Sequence, residues 1–208
     1  MDRRWKEPRN NADHPCNHWF KGSLDIHTIR AFFAIPIPDA FKKLVAETIE
    51  PWKNLPLKWV NAENWHLTLA FLGSIAENHA SLLCSSIEAY LIQEPSFSLL
   101  TKGIDYFPSK KKARVLAVLF ERSQPLQTLV QGIHAICKSQ QILPDEKIFH
   151  AHITLARLKT KTAPDIDIPP FAATLPVQQV VFFKSTLHPK GVQHEPIQVF
   201  NLCLKNES

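Results

Sequence analysis

The 208-residue sequence lacks the features that mark membrane, secreted and zinc-binding proteins. No apolar run approaches the roughly 20 residues that a membrane-spanning helix needs. Arg3-Arg4 is followed by polar residues and not by the apolar segment of a secretion signal. The four cysteines form no C-x-x-C pair, which argues against a zinc knuckle or a dense disulfide framework. We therefore expect a cytoplasmic protein with reduced thiols and no membrane partner.

What the chain does contain is a composition typical of a globular protein with an excess of positive charge. Hydrophobic residues make up 45% of the sequence, and sixteen prolines against five glycines favour stiff loops. The formal net charge of +5 favours an anionic partner such as a nucleic acid or a nucleotide. A merely basic surface explains this charge equally well, so the motifs have to decide between the two interpretations.

The chain divides into two segments of different pattern. Residues 1–27 are rich in Arg, Asn, Asp, His and Pro without helical or strand periodicity, which predicts a flexible extension. His14, Cys16 and His18 within it are possible metal ligands, but on a segment without a scaffold we interpret them as incidental and predict no metal site. Residues 28–208 are predicted to form one domain.

Regular secondary-structure patterns begin at Ile29. Apolar runs and alternation predict strands at 29–35, 65–72, 97–107, 114–120, 149–158, 177–187 and 196–204. Apolar residues at helical spacing predict three helices, of which the first is capped by Asp39, the second begins at Glu77 and the third follows Ser123. The predicted apolar face of the first helix consists of Phe41, Leu44, Val45, Thr48, Ile49 and Trp52.

The most informative feature is a tetrapeptide that occurs twice, as His66-Leu67-Thr68-Leu69 and as His152-Ile153-Thr154-Leu155. With 10 His, 10 Thr and 23 Leu in the chain, chance predicts about 0.05 matches to His-x-Thr-Leu. In each half an amphipathic helix precedes the motif by a similar distance. The repeat therefore predicts an internal duplication in which two α+β lobes face each other.

Strand alternation supplies a geometry for the two motifs. His66 and Thr68 share one face of their strand, as do His152 and Thr154, while the intervening aliphatic residues point into a core. If a pseudo-twofold axis relates the lobes, one imidazole acts on each side of a bound phosphate. A neutral ring activates water, a protonated ring donates to the departing oxygen, and the hydroxyls bind phosphoryl oxygens. A solvated strand face is the simpler explanation for a single motif, but not for a duplicated one.

These residues resemble the two-histidine phosphoesterases, specifically the LigT-like RNA 2′,3′-cyclic phosphodiesterases, also called 2′-5′ RNA ligases. The resemblance spans about residues 29–204. It is carried by both motifs together with their flanking sequence and by four further segments, which are Arg30-Ala31-Phe32-Phe33-Ala34-Ile35, Trp59-Val60, Phe107-Pro108 with Ala113-Arg114-Val115-Leu116, and Ser185-x-Leu187-x-Pro189-x-Gly191.

The resemblance implies a bilobal α+β fold, with two antiparallel sheets flanked by helices around a central cleft. It also implies hydrolysis of an RNA or nucleotide 2′,3′-cyclic phosphate to a 2′-phosphate, without metal or cofactor. Carried over, His66 is the proton donor, His152 is the proton acceptor, and Thr68 and Thr154 bind phosphate. The sequence fits the reverse assignment, with His152 as the acid and His66 as the base, equally well. The expected partners are RNA ends or cyclic nucleotides, bound by a monomer.

Two positions depart from the family pattern. His150-Ala151 stands where relatives usually have Arg-Pro, and alternation predicts that His150 shares a face with His152. One hypothesis is that His150 replaces the missing cationic contact, and the alternative is a solvent-facing side chain. His194 stands where relatives carry an aromatic residue, which weakens the expectation of base stacking there.

Other side chains are weaker candidates for substrate contacts. Arg114 is a candidate to neutralise phosphate, the turn Lys110-Lys111-Lys112 to track an RNA backbone, and Trp59 and Trp65 to stack on a base. Each has an ordinary structural alternative, namely a solvated arginine, a charged turn and core aromatic residues.

Two other functions fit the same motifs. A cleft of this kind can bind RNA ends without performing chemistry, and reversal of the hydrolysis gives an ATP-independent 2′-5′ RNA ligase. No nucleotidyl-transfer lysine motif or Gly-rich phosphate loop is evident, so ATP-driven ligation is not expected.

Overall fold

The computed structural model describes residues 27–145, 148–160, 162–188 and 191–204. The strands and helices, in chain order, are β1 Thr28–Pro36, α1 Asp39–Ile49, β2 Leu57–Trp59, β3 His66–Ala76, α2 Glu77–Leu91, β4 Phe97–Phe107, β5 Val115–Phe120, α3 Gln124–Ser139, β6 His152–Leu158, β7 Thr174–Val177, β8 Gln179–His188 and β9 Gly191–Asn201. The cluster from His14 to His18 and nearly all of the predicted 1–27 extension lie outside the described residues.

The described strands form one curled antiparallel sheet. Their order across the sheet is β7-β4-β5-β6-β3-β1-β8-β9, and β2 pairs with β6 beside this path. Its two halves meet where β3 and β6 share the pair Leu67 with Ile153. The predicted bilobal α+β architecture is confirmed, but the two expected sheets are halves of one continuous sheet that join at the repeated motif.

The helices cover one face of the sheet and the other face forms a cleft. On β1, Ala31, Phe33 and Ile35 belong to the core that packs against the helices. Phe32 and Ala34 between them are also buried but lie outside that core, because alternate residues of a strand point to opposite faces. The inward residues of α3 follow the predicted helical spacing and are Leu126, Leu129, Val130, Ile133 and Cys137.

The start of the first helix differs from its prediction. Pro38 occupies the capping position, and Asp39 lies in the first helical turn, where its carboxylate accepts a hydrogen bond from Lys42 at 3.2 Å. Leu44, which the spacing placed on the apolar face, is 42% exposed because the buried stripe consists of Phe41, Val45 and Ile49. The buried face of α1 is thus narrower than predicted.

Several predicted strands have different bounds. The strand predicted at 65–72 extends to Ala76, and the strand predicted at 196–204 is β9 at Gly191–Asn201. The strand predicted at 149–158 begins only at His152. The strand predicted at 177–187 is two strands, because β7 ends at Val177 against β4 and β8 begins at Gln179 against β1 and β9. Among the described helices, none is long and apolar enough to cross a membrane.

Candidate active site

The two copies of the motif lie side by side at the junction of the sheet halves. Because Leu67 and Ile153 are antiparallel partners, His66 comes opposite Thr154 and Thr68 opposite His152. The structure therefore brings together all four residues that the sequence predicted for the site.

Small side chains lie next to the two threonines on the neighbouring strands. Thr68 pairs with Ala34 on β1, and Thr154 pairs with Ala117 on β5, so each half repeats the same arrangement. Both alanines are fully buried yet lie outside the helix-side core, as expected of residues on the cleft face.

A β-bulge follows each motif threonine. Leu69 on β3 and Leu155 on β6 are extra residues in their ladders, because Thr68 and Ala70 pair with consecutive residues of β1, as do Thr154 and Ala156 with those of β5. A bulge reverses the alternation beyond it. Phe71 and Arg157, each five residues after its histidine, are thereby turned to the cleft face.

Both bulge carbonyls have hydrogen-bond partners outside the neighbouring strand. The Leu69 carbonyl accepts a hydrogen bond from Nε2 of His134 on α3 at 3.1 Å, and the Leu155 carbonyl accepts one from the Val60 backbone N–H at 2.9 Å. These contacts satisfy backbone groups that the ladders leave unpaired and hold both bulges in place.

Each motif histidine is oriented by a backbone carbonyl two residues earlier. Nδ1 of His66 lies 2.7 Å from the carbonyl oxygen of Asn64, and Nδ1 of His152 lies 2.8 Å from that of His150. A carbonyl only accepts hydrogen bonds, so Nδ1 must carry the proton in both rings. Nε2 is therefore the basic nitrogen of each neutral imidazole.

Aromatic rings pack against both imidazoles. The Phe32 ring lies 4.8 Å from His66, and the Phe107 ring stacks on His152 at 4.8 Å between centroids. His194 on β9 meets His66 edge-on at 5.0 Å, and its Nδ1 is buried without a hydrogen-bond partner among the described residues. These apolar walls limit the access of water to the rings.

Burial and neighbouring charge lower the pKa of all three cleft histidines. Desolvation lowers the pKa of His66 from 6.5 to about 4, assisted by the charges of His194, His152 and Arg157 and opposed by the hydrogen bond to Asn64. Desolvation also lowers the pKa of His152, and that of His194 falls for the same reason and through Arg157. In the free protein both motif imidazoles therefore favour the neutral form.

Arg157 is the cleft residue that sequence reasoning missed. It is an exposed residue on β6, and its charge acts on His66, His152 and His194 alike. Arg157 lies five residues after His152, so strict alternation would place it on the opposite face of the strand. The bulge at Leu155 reverses the alternation and turns Arg157 to the same face as His152. In the other half, the equivalent residue is Phe71, and the guanidinium carbon of Arg30 lies 4.9 Å from the centre of its ring.

The weaker sequence candidates occupy other environments. Arg114 is exposed just before β5, and its backbone N–H donates to the Phe107 carbonyl. Lys110 forms an exposed ion pair with Asp165 at 2.6 Å. Trp65 is only 3% exposed, and the half-buried Trp59 packs against the core with its indole N–H donating to the Lys53 carbonyl. Both tryptophans therefore contribute to the fold.

His150 lies close to the second motif, but it is not part of a strand. Its exposed ring makes an edge contact with Phe107 at 5.6 Å, and its charge lowers the pKa of His152. His150 and His152 thus contact the same phenylalanine. Among the described residues, the structure has no cluster of three or more His, Cys, Asp or Glu side chains suited to a metal ion.

The pKa of His66 leads to a prediction about stability. The unfolded chain takes up the proton near pH 6.5 and the folded protein only near about 4, so the unfolded state binds more protons between these values. The free energy of unfolding should therefore fall as the pH is lowered through this window. Denaturant titrations at pH 7 and pH 5 measure the difference, and it should shrink in His66→Gln. An unchanged pH dependence in that variant would contradict the assignment.

Fold and site together place two His-x-Thr motifs on neighbouring strands of one duplicated sheet. A family model described as LigT like Phosphoesterase matches residues 35–117 and 119–194. The chain belongs to the LigT-like phosphoesterase family. An RNA 2′,3′-cyclic phosphodiesterase of Thermotoga maritima is 33% identical over 171 residues, which cover 78% of this chain and 90% of that relative.

Solved structures show the same likeness. TT0787 of Thermus thermophilus superposes with a TM-score of 0.73 at 28% identity, covering 85% of this chain and 100% of that one. The structure of E. coli LigT complexed with 3′-AMP superposes with a TM-score of 0.69 at 25% identity, covering 85% of this chain and 99% of that one.

Proposed function

We propose that this chain hydrolyses 2′,3′-cyclic phosphates of RNA ends or nucleotides to 2′-phosphates, without a metal ion or other cofactor. The observation that carries the proposal is the mirrored pair of imidazoles, both held as Nδ1–H tautomers by backbone carbonyls. The names of relatives such as the Thermotoga maritima RNA 2′,3′-cyclic phosphodiesterase support the same activity.

In the proposed reaction, Nε2 of His152 takes a proton from a water molecule as its oxygen attacks phosphorus. The bond from phosphorus to the 3′-oxygen breaks, and His66 gives its Nε2 proton to that oxygen, which becomes a 3′-hydroxyl. The phosphate remains on the 2′-oxygen. Thr68 and Thr154 donate hydrogen bonds to the non-bridging oxygens, where negative charge grows in the transition state.

The low pKa of His66 in the free protein is compatible with its role as the acid. A cyclic phosphate carries a negative charge, and an opposite charge close to an imidazole favours the protonated ring. Binding of the substrate beside His66 therefore raises its pKa from about 4 toward the range in which it can donate a proton. Arg157 is placed to neutralise the remaining charge of the anion.

The decisive experiment incubates the purified protein with nucleoside 2′,3′-cyclic phosphates in the presence of EDTA. We expect hydrolysis, with the product assigned as the 2′-phosphate by phosphorus NMR. A 3′-phosphate product would overturn the proposed bond cleavage, and turnover abolished by EDTA would overturn the metal-independent mechanism. Salt-dependent RNA binding without product would favour the end-binding alternative, and joining of RNA ends without ATP would favour the ligase.

His150 provides a prediction about the departure from the family pattern. If its imidazole supplies the cationic contact, His150→Ala should weaken substrate binding and raise KM several-fold, whereas His150→Arg should match or improve on the original side chain. Steady-state kinetics of the three proteins measure both effects. Equal KM values for all three proteins would leave His150 as a solvent-facing residue.

We also propose that the protein acts as a cytoplasmic monomer. Each chain supplies both halves of the proposed acid–base pair, so the site needs no second copy. Sedimentation of the purified protein tests the oligomeric state, with a mass close to 23.7 kDa expected.

A further inference from the structure

Asn64 contacts both the first motif histidine and the edge strand β9. Its backbone carbonyl accepts the hydrogen bond from Nδ1 of His66 at 2.7 Å. Its side-chain Nδ2 donates to the carbonyl of Val192 on β9 at 3.1 Å. One half-buried residue therefore connects the orientation of His66 to the β8–β9 hairpin, 128 positions further along the chain.

The position of this carbonyl decides which nitrogen of His66 is reactive. While it accepts the Nδ1–H, the lone pair of the neutral ring is on Nε2. If the carbonyl moves away, the ring loses the contact that selects this tautomer, and the proton is free to occupy Nε2 instead. A hydrogen bond that fixes the carbonyl therefore keeps Nε2 directed at the substrate, where it takes up the proton that it later donates.

The turn that holds the carbonyl is anchored on its core side by other contacts. The Asn64 N–H donates to the Asn61 carbonyl at 2.8 Å, and the Trp65 N–H donates to the Ala62 carbonyl at 3.1 Å. The Trp65 side chain is buried in the core. On the cleft side, the Asn64 side chain extends this anchoring to β9.

β9 also carries His194, whose ring meets His66 edge-on at 5.0 Å and lies opposite Ser185 of β8. Val192, which accepts the hydrogen bond from Asn64, is two residues from His194. This hydrogen bond therefore holds the part of β9 that carries His194 against the turn that orients His66. The second motif is held differently. There the accepting carbonyl belongs to the exposed His150, and its ring contacts Phe107.

We propose that Asn64 is a positioning residue that couples the β8–β9 hairpin to the tautomer of His66. The inference rests on the proposed function for its kinetic consequence, but the coupling itself is a property of the free protein. The proposal predicts that removing the Asn64 side-chain hydrogen bond changes both the position of the hairpin and the tautomer of His66.

The test compares Asn64→Asp and Asn64→Ala with Asn61→Ala. Asn64→Asp preserves size and the backbone carbonyl but replaces the donor with an acceptor that repels the Val192 carbonyl. Asn61→Ala is the matched control, because the Asn61 side chain accepts a hydrogen bond from Glu63 N–H in the same turn, away from β9. Asn64→Gln retains the amide donor.

Nitrogen-15 NMR of the His66 imidazole should show the Nδ1–H tautomer in the unsubstituted protein and in Asn61→Ala. Asn64→Asp and Asn64→Ala should show a mixture with the Nε2–H tautomer. With a 2′,3′-cyclic nucleotide, kcat should fall about 5- to 10-fold in these two variants with little change in KM, as for the loss of one hydrogen bond. Asn64→Gln should recover part of this loss.

An unchanged tautomer and an unchanged kcat in Asn64→Asp and Asn64→Ala would overturn the proposal. Equal losses in Asn61→Ala would also overturn it, because they would assign the effect to the stability of the turn. If the unsubstituted protein turns over no cyclic phosphate, the proposed function fails, but the NMR comparison still decides whether Asn64 positions His66.

Discussion

Replacing either His66 or His152 with alanine should lower kcat for a 2′,3′-cyclic nucleotide by about 10²- to 10⁴-fold, the usual contribution of a general acid or base. The double variant should lose little more than the worse single variant, because the two rings act in one concerted step. Steady-state assays of the three variants measure this. His79→Ala is the matched control, since His79 is an exposed histidine on α2 and should leave kcat unchanged.

A modified substrate separates the acid from the base. If sulfur replaces the 3′-oxygen in the cyclic phosphate, the leaving group is a thiolate, which departs without a proton. His66→Ala should then recover most of its lost rate on the sulfur analogue, whereas His152→Ala should remain slow because the water still needs a base. The opposite pattern would exchange the two roles, and strong losses in neither variant would end the two-histidine mechanism.

Arg157→Ala should reduce kcat/KM by about 10- to 100-fold, the range expected when a charge-assisted hydrogen bond of roughly 1.5–3 kcal/mol is lost. Arg157→Lys should recover part of this loss, because lysine keeps the charge but not the planar guanidinium. Arg114→Ala is the matched control, since Arg114 is exposed and is not among the charges that lower the histidine pKa values.

The same variant has a second, independent readout. The charge of Arg157 lowers the pKa of His66 and His152, so Arg157→Ala should raise both values in an NMR titration of the free protein. Unchanged histidine titrations together with unchanged kcat/KM would place the guanidinium outside the site. A shift in the titrations without a change in kcat/KM would show proximity to the histidines without contact to the phosphate.

Much of the site was predictable because strand alternation is a local property. From the repeated tetrapeptide alone, His66, Thr68, His152 and Thr154 were predicted on the cleft face, and the structure places them there. The buried face of α1 was predictable for the same reason, since Phe41, Val45 and Ile49 recur at helical spacing and are buried. Both patterns depend only on residues within a few positions of one another.

Arg157 was not predictable because a bulge interrupts that local rule. The extra residue Leu155 is visible only from the pairing of β6 with β5, and it changes the face on which every later residue lies. The same limit applies to Asn64 and Val192, whose hydrogen bond joins positions 128 residues apart. No periodicity in the chain indicates which carbonyl an asparagine will meet.

The sequence by itself therefore determined the duplication, the residue types of the proposed acid–base pair and the faces of the strands that carry them, because these follow from composition and alternation. Only the tertiary structure decided the tautomers of His66 and His152 and the low pKa of His66. It also decided that Arg157 and His194 lie close to the motif histidines. The physical reason is that tautomers and pKa values depend on the carbonyls, rings and charges that surround an imidazole. Those neighbours come from strands that are distant in the chain.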